Sequence, residues 1–186
     1  GLGLDNVVVQ STARTPLSCL VPANPGAITF GTVTTTAVNA TFVGPAAVGK
    51  NFLVVRSTAP TLSATPVNGV NYAIGSSFGG GTVVDTDTDT TIADTGLTEG
   101  TQYYYFLYAM STGCACGPYY SAGFSTNTTF TLPQVPLNFT RGCSTNTTQE
   151  LSWAPPASGG FDGYLLVARQ GGNPSVVTSL NPPLLS

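Results

Sequence analysis

The chain contains no histidine, one lysine (Lys50) and four arginines among its 186 residues. Without histidine it lacks the side chain most often used as a general base and as a metal ligand. Zinc would have to be held by thiolates alone, and Cys114-Ala115-Cys116 lacks the usual ligand spacing of about two to four intervening residues. Charged residues make up 7% of the chain, against roughly a quarter in an average soluble domain. The net charge is −3, so there is no basic cluster to neutralise nucleic-acid phosphates. No apolar run approaches the roughly 18 residues of a membrane-spanning helix. No serine sits in a nucleophile-elbow pattern. Glu99 reads as a turn residue and Glu150 as a strand residue with no partner in view. The remaining acids read as isolated or as members of one acidic ladder. These gaps predict no catalysis, no cofactor and no resident metal.

Threonine, serine and valine, with 22 glycines and 14 prolines, take the place of the missing charge. That mixture suits short strands and frequent turns and suits long helices badly. The predicted class is all-β, and the length accommodates one antiparallel sandwich of about 100 residues plus parts of others.

A pattern occurs twice. Residues 27–56 read as a short strand ending near Phe30, a Thr-rich turn, an alternating strand ending in Phe42, Pro45, and then NFLVVR. Residues 136–169 repeat it with Phe139, Trp153, Pro155-Pro156 and GYLLVAR. The period, roughly 110 residues, is the size of one sandwich domain. After the first copy, residues 71–74, 82–85, 90–93, 102–110 and 119–132 read as further strands.

Strict alternation in residues 102–110 places Tyr103, Tyr105 and Leu107 on one face and Tyr104, Phe106 and Tyr108 on the other. The first set reads as core. Just before it, Leu97, Gly100 and Tyr103 carry the spacing of a tyrosine corner, in which the phenol bonds back to the preceding turn.

GLTEGTQYYYFLYA (residues 96–109) resembles the E–F corner of fibronectin type III domains. The resemblance implies an immunoglobulin-like antiparallel β-sandwich. Residues 52–57, 66–72, 79–84, 95–105 and 114–120 are also similar to the type III-like repeats of large secreted Bacteroidetes proteins. Those repeats run "YLVVRS", "P-x-[DN]-G-x-x-Y", "G-x-G-T-V-V", "TGL-x-x-G-T-x-YYY" and a Cys-rich turn before "G-P-x-Y". The match covers residues 28–132 in full and 137–169 in part. It implies export to the cell surface or medium and brings no catalytic residues.

Three segments follow. Residues 1–21 are a strand and linker, either the end of a preceding domain or a donor strand containing Val7-Val8-Val9. Residues 22–133 are a complete type III-like domain. Residues 134–186 are an incomplete second one, which would leave a sheet edge and an apolar face uncovered. The start at Gly1 fits a processed chain or a piece of a longer protein.

The candidate sites concern contact rather than chemistry. Tyr104, Phe106 and Tyr108, with Leu53 and Val55 of the neighbouring strand, form an apolar outer face where a polar one is usual. Its cover is another copy, a neighbouring domain, a glycan, or the chain's own residues 58–84. In type III topology Cys19 and the turn bearing Cys114 and Cys116 share one pole, with Cys143 at the opposite pole of the second copy. Staples across domain joints, a local Cys114–Cys116 bridge and free thiols all remain open. Asp85, Asp87 and Asp89 lie on one side of an extended DTDTDT, which reads as a solvated edge, with calcium the weaker alternative. Asp89-Thr90-Thr91 resembles the Bacteroidetes O-glycosylation pattern at Thr90. The Asn-x-Ser/Thr matches at Asn39, Asn127, Asn138 and Asn146 are those expected by chance in a Thr-rich chain.

The expectation is a non-catalytic structural or adhesive segment of an extracellular or cell-surface protein, with a filament subunit as one form of it. Its partners are copies of itself or neighbouring domains. The alternative is a carbohydrate-binding or spacer module of a secreted hydrolase.

Overall fold

The computed structural model describes residues 20–45, 50–112, 117–157 and 163–169. Among these residues there are eleven strands and no helix. Strands β1 (Ile28–Val33), β2 (Ala37–Phe42) and β6 (Thr91–Thr95) form one antiparallel sheet in the order β1-β2-β6. The second sheet runs β4 (Ser77–Phe78), β5 (Gly81–Asp85), β3 (Lys50–Ser57), β7 (Gln102–Ser111). Both β8 (Tyr119–Tyr120) and β9 (Ser125–Phe130) pair with β7. The two sheets pack face to face as an immunoglobulin-like sandwich of the fibronectin type III kind.

Local chemistry sets the elements. In β2 the alternation buries Val38, Ala40 and Phe42 and exposes Asn39 and Thr41. The Thr34 hydroxyl closes the β1–β2 turn by accepting the N–H groups of Thr36 (3.3 Å) and Ala37 (2.9 Å). Gly81 is required by close approach. A Cβ there would lie 2.5 Å from the Arg56 carbonyl oxygen and 2.8 Å from Val55 Cγ1.

The first core lies between the sheets. Val38, Phe42 and Ile92 face Phe52, Val54, Tyr105 and Leu107. Phe42 meets Phe52 edge to face with centroids 4.7 Å apart, and Phe30 meets Tyr105 at 5.7 Å.

A second core lies on the far side of β3 and β7. Leu53, Val55, Phe106, Tyr108 and Met110 pack there with Phe78, Val83 and Tyr120, and Leu62, Tyr72 and Tyr104 close its margin. The segment between β3 and β5 folds over this face as a strap. Its turn is pinned to β8. Gly69 N–H donates to Pro118 O (2.7 Å), Tyr120 N–H to Asn68 Oδ1 (2.9 Å), and the Tyr120 hydroxyl to Val70 O (2.7 Å). Burial and the neighbouring Tyr72 push the Tyr120 phenol up to about 12, so it stays a donor.

Four expectations are corrected. Residues 71–74 form no strand; the short strand of that region is β4, paired with β5. The return strand expected over 119–132 is broken into β8 and β9, because the intervening turn carries Phe124 over Phe106 and Tyr108. Residues 163–169, matching the β3 segment NFLVVR in the repeat, form no strand. The acidic stretch is not a straight ladder. Asp85 ends β5 in one sheet and β6 begins the other, so residues 86–90 must bend to cross between them.

Strands β10 (Leu137–Ser144) and β11 (Gln149–Ala154) form a separate two-stranded hairpin.

Candidate interaction surface

The aromatic row expected to face outward as an interaction surface is covered by its own chain. Phe106 is 1% exposed, Tyr108 2%, and Leu53 and Val55 are fully buried. Tyr104 is half-buried at the edge of the same cluster. The physical reason is the strap, whose Leu62, Tyr72 and Phe78 fill the space a partner or sugar ring would need. Burial raises the Tyr108 phenol. Of the covers the sequence left open, this face carries the internal one.

Tyr103 accepts the N–H of Thr98 through its hydroxyl at 3.0 Å, while Leu97 is buried in the first core. Gly100 has φ 55° and donates to Leu132 O at 3.2 Å. Its missing Cβ lets the turn adopt the left-handed conformation. Corner and linker are thus tied at one pole, where Gln134 Nε2 also donates to Glu99 Oε2 at 2.7 Å.

One polar cluster escaped the sequence reading. Arg56 Nη1 donates to Asp94 Oδ1 at 2.7 Å, and the Tyr105 hydroxyl donates to Asp94 Oδ2 at 2.9 Å. Arg56 also lies 5.4 Å from the Tyr103 ring centroid. The triad joins β6 of one sheet to β3 and β7 of the other. Burial, and then the Asp94 charge, raise the Tyr105 phenol strongly, so it stays protonated. Asp94 is therefore not the isolated acid the sequence predicted. Its signal was the alternation Ile92-Ala93-Asp94, which points Asp94 inward beside Ile92.

The carboxylate oxygens of Asp85, Asp87 and Asp89 lie within 4.8 Å of one another, with Asp87 and Asp89 exposed. Burial, with Asp87 and Asp89 beside it, raises Asp85 to about 6. Asp87 and Asp89 also accept backbone N–H groups from Asp89 and Thr91, which shapes the crossover. Thr90 is exposed in this bend. Cys19, Cys114, Cys116 and Val7–Val9 lie outside the described residues, while Cys143 is an exposed free thiol.

The open apolar surface lies on the second hairpin. Its turn repeats the first one. The Thr145 hydroxyl accepts the N–H groups of Thr147 (3.3 Å) and Thr148 (3.0 Å). The offset between the two turns (145 − 34 = 111) equals the offset between the terminal aromatics (153 − 42 = 111). Trp153 meets Tyr164 at 5.7 Å with ring planes at 69°, much as Phe42 meets Phe52 with planes at 73°. Yet Phe139 is 60% exposed, Trp153 37% and Tyr164 42%, with Leu165, Leu166 and Val167 exposed beside them. Phe139 instead leans on Trp153 at 6.3 Å.

No family model matches this chain. No curated protein matches it either. Among solved structures it is similar to a solution structure of the fourth FNIII domain of a human protein (16% identity, 72% of this chain, 95% of that one, TM-score 0.43). It is also similar to a solution structure of the sixth fibronectin type III domain of a human fibronectin type III domain-containing protein (15% identity, 67% and 93%, TM-score 0.42). A crystal structure of titin domains shares 21% identity over 60% of this chain (TM-score 0.41), and the match spans 32% of that fragment.

Proposed function

We propose that this chain is a non-catalytic structural or adhesive segment of an extracellular or cell-surface protein. One complete type III-like domain is followed by the opening strands of a second. It works by joining, to other copies of itself or to neighbouring domains. The observation that carries this reading is the open face of the β10–β11 hairpin. Its turn and its aromatic pair match those of β1–β2 and β3, yet Phe139 and Trp153 face solvent. A contiguous apolar face of this kind marks an interaction surface.

The non-catalytic part is supported by how the described polar groups are engaged. Asp94 clamps the two sheets, and Glu99 holds the linker. The extracellular part rests on the low charge and on the sequence resemblance to secreted repeats. The glycan-platform alternative loses its support at Tyr104, Phe106 and Tyr108, since the strap covers that face.

Trp153 is the single tryptophan of the chain, so its emission reports on the open face directly. Joining predicts that emission shifts to the blue as concentration rises, in step with sedimenting mass. A red emission and constant mass at all concentrations, with no response to neighbouring segments of the parent protein, would leave a plain spacer. Electron microscopy of native material then distinguishes a filament from discrete particles.

A further inference from the structure

The cover that the described residues do not supply to the hairpin can be specified from the first unit. There the face of β1–β2 is closed by two strands of the opposite sheet. Phe52 of β3 meets Phe42, and Tyr105 of β7 meets Phe30. In the second unit Tyr164 already stands against Trp153. Nothing described stands against Phe139 as Tyr105 stands against Phe30. The missing piece is an extended strand with large apolar side chains at alternate positions.

Strands β1 to β9 are engaged in the first unit. Residues 1–19 lie outside the described part and carry such a pattern. In an extended strand Leu2, Leu4 and Val8 share one face and Val7 and Val9 the other, with Asp5 as the single charged side chain before Arg14.

The topology attaches this segment and its own hairpin to opposite poles of the sandwich. Residues 20–26 join the sandwich where Gly26 N–H donates to Val43 O and Gly123 N–H donates to Asn24 Oδ1. The linker to β10 leaves from the other end of β1, where Leu132 N–H donates to Thr34 O. The register of β1 on β2 shows these are opposite poles, since Ile28 pairs with Phe42 at one and Val33 with Val38 at the other. A donor at one pole and an acceptor at the opposite pole make a head-to-tail contact, which extends as a line unless its rotation closes a ring.

We infer that residues 2–9 of one copy add as a strand to the open face of the β10–β11 hairpin of the next copy. The inference rests on the reading of that hairpin as a joining surface. The added strand lies in the layer opposite the hairpin, where burial of its apolar side chains supplies affinity and their alternation supplies register. The ten residues between this segment and the described chain, 10–19, reach up to about 35 Å when extended, enough to leave the first sandwich and meet a neighbour.

The test uses the full chain, Val8→Asp and Leu4→Asp variants, and a synthetic peptide of residues 1–12. Sedimentation and Trp153 emission are followed against concentration, with the thermal transition of the sandwich as the check on folding. The expected result is that each variant keeps the thermal transition and associates about tenfold or more weakly, because the added carboxylate has no partner in an apolar contact. Added peptide then restores the blue shift of the Val8→Asp chain without restoring its mass. Variants that assemble like the parent overturn the inference but leave the joining reading intact. Blue emission at constant single mass means that the hairpin is covered within its own chain and overturns the pairing between copies. Loss of assembly that the peptide does not answer removes residues 2–9 from the hairpin. Red emission and constant mass in the parent overturn the joining reading itself.

Discussion

Strands β1 and β2 and strands β10 and β11 are both antiparallel hairpins with threonine-closed turns and an aromatic near the end of the second strand. The first hairpin buries Ile28, Val38, Ala40 and Phe42. The second leaves Leu137, Phe139 and Trp153 exposed. Local chemistry is the same, so the difference comes from what lies opposite. β1–β2 has a second sheet to pack on, and that sheet has a strap behind it. Among the described residues no second sheet packs on β10–β11, and Tyr164 meets Trp153. A two-stranded hairpin is marginal alone, and an apolar face needs another layer.

The largest expected difference between the two units comes from a charge placed at matching positions. Leu53→Asp buries an unpaired carboxylate in the second core and should cost about 4 kcal/mol or more, enough to unfold a marginal domain. Leu165→Asp is on an exposed residue and should leave the sandwich transition within about 0.5 kcal/mol. Chemical denaturation of both variants checks the pair. A large effect at Leu165 would mean that its face is covered in the same way.

Removing the terminal aromatics comes next. Phe42→Ala should destabilise the sandwich by about 3–5 kcal/mol through the cavity it leaves. Trp153→Ala should leave the unfolding midpoint unchanged while abolishing concentration-dependent association.

Asp94→Ala tests whether the first unit relies on polar linkage as well as packing. It strands the Tyr105 hydroxyl and the Arg56 guanidinium, and should cost about 2–4 kcal/mol. A change under about 0.5 kcal/mol in the same denaturation assay would show the triad to be incidental.

The smallest effect belongs to the crossover. Asp85 is raised to about 6, above its ordinary value near 3.8. Its charged form is the disfavoured one in the fold. The associated stability is therefore full below about pH 4 and is lost as pH rises through about 6. Asp85 is half-buried beside the exposed Asp87 and Asp89, so screening holds the effect to about 1 kcal/mol or less. Asp87→Asn should lower the Asp85 midpoint in an NMR titration. An unmoved midpoint would assign the shift to burial and Asp89.

Several elements were legible beforehand because their signals are local. Alternation in β2 and β7 reports which side chains share a face. The spacing of Leu97, Gly100 and Tyr103 reports the corner. The Thr-rich turns report the hairpins and, through their offset of 111 residues (145 − 34), the repeat. The aromatic outer face was legible as a face but not as a covered one. Nothing in Tyr104, Phe106 and Tyr108 says whether a strap, a partner or a sugar lies above them. The strap was among the covers left open and could not be singled out, because its hold on β8 joins Asn68 to Tyr120, 52 residues apart. Arg56 and Asp94, 38 residues apart, were missed for the same reason.

By itself, the sequence determined the strand-rich class, the inward and outward sets of each strand and the repetition of one hairpin. These follow from side-chain sterics and a period of two, and they act within a few residues. Only the tertiary structure decided which apolar faces are closed. Closure is a property of two surfaces brought together across the chain. The same alternation is a core in β1–β2 and an open surface in β10–β11, because among the described residues only the first has a sheet packed against it.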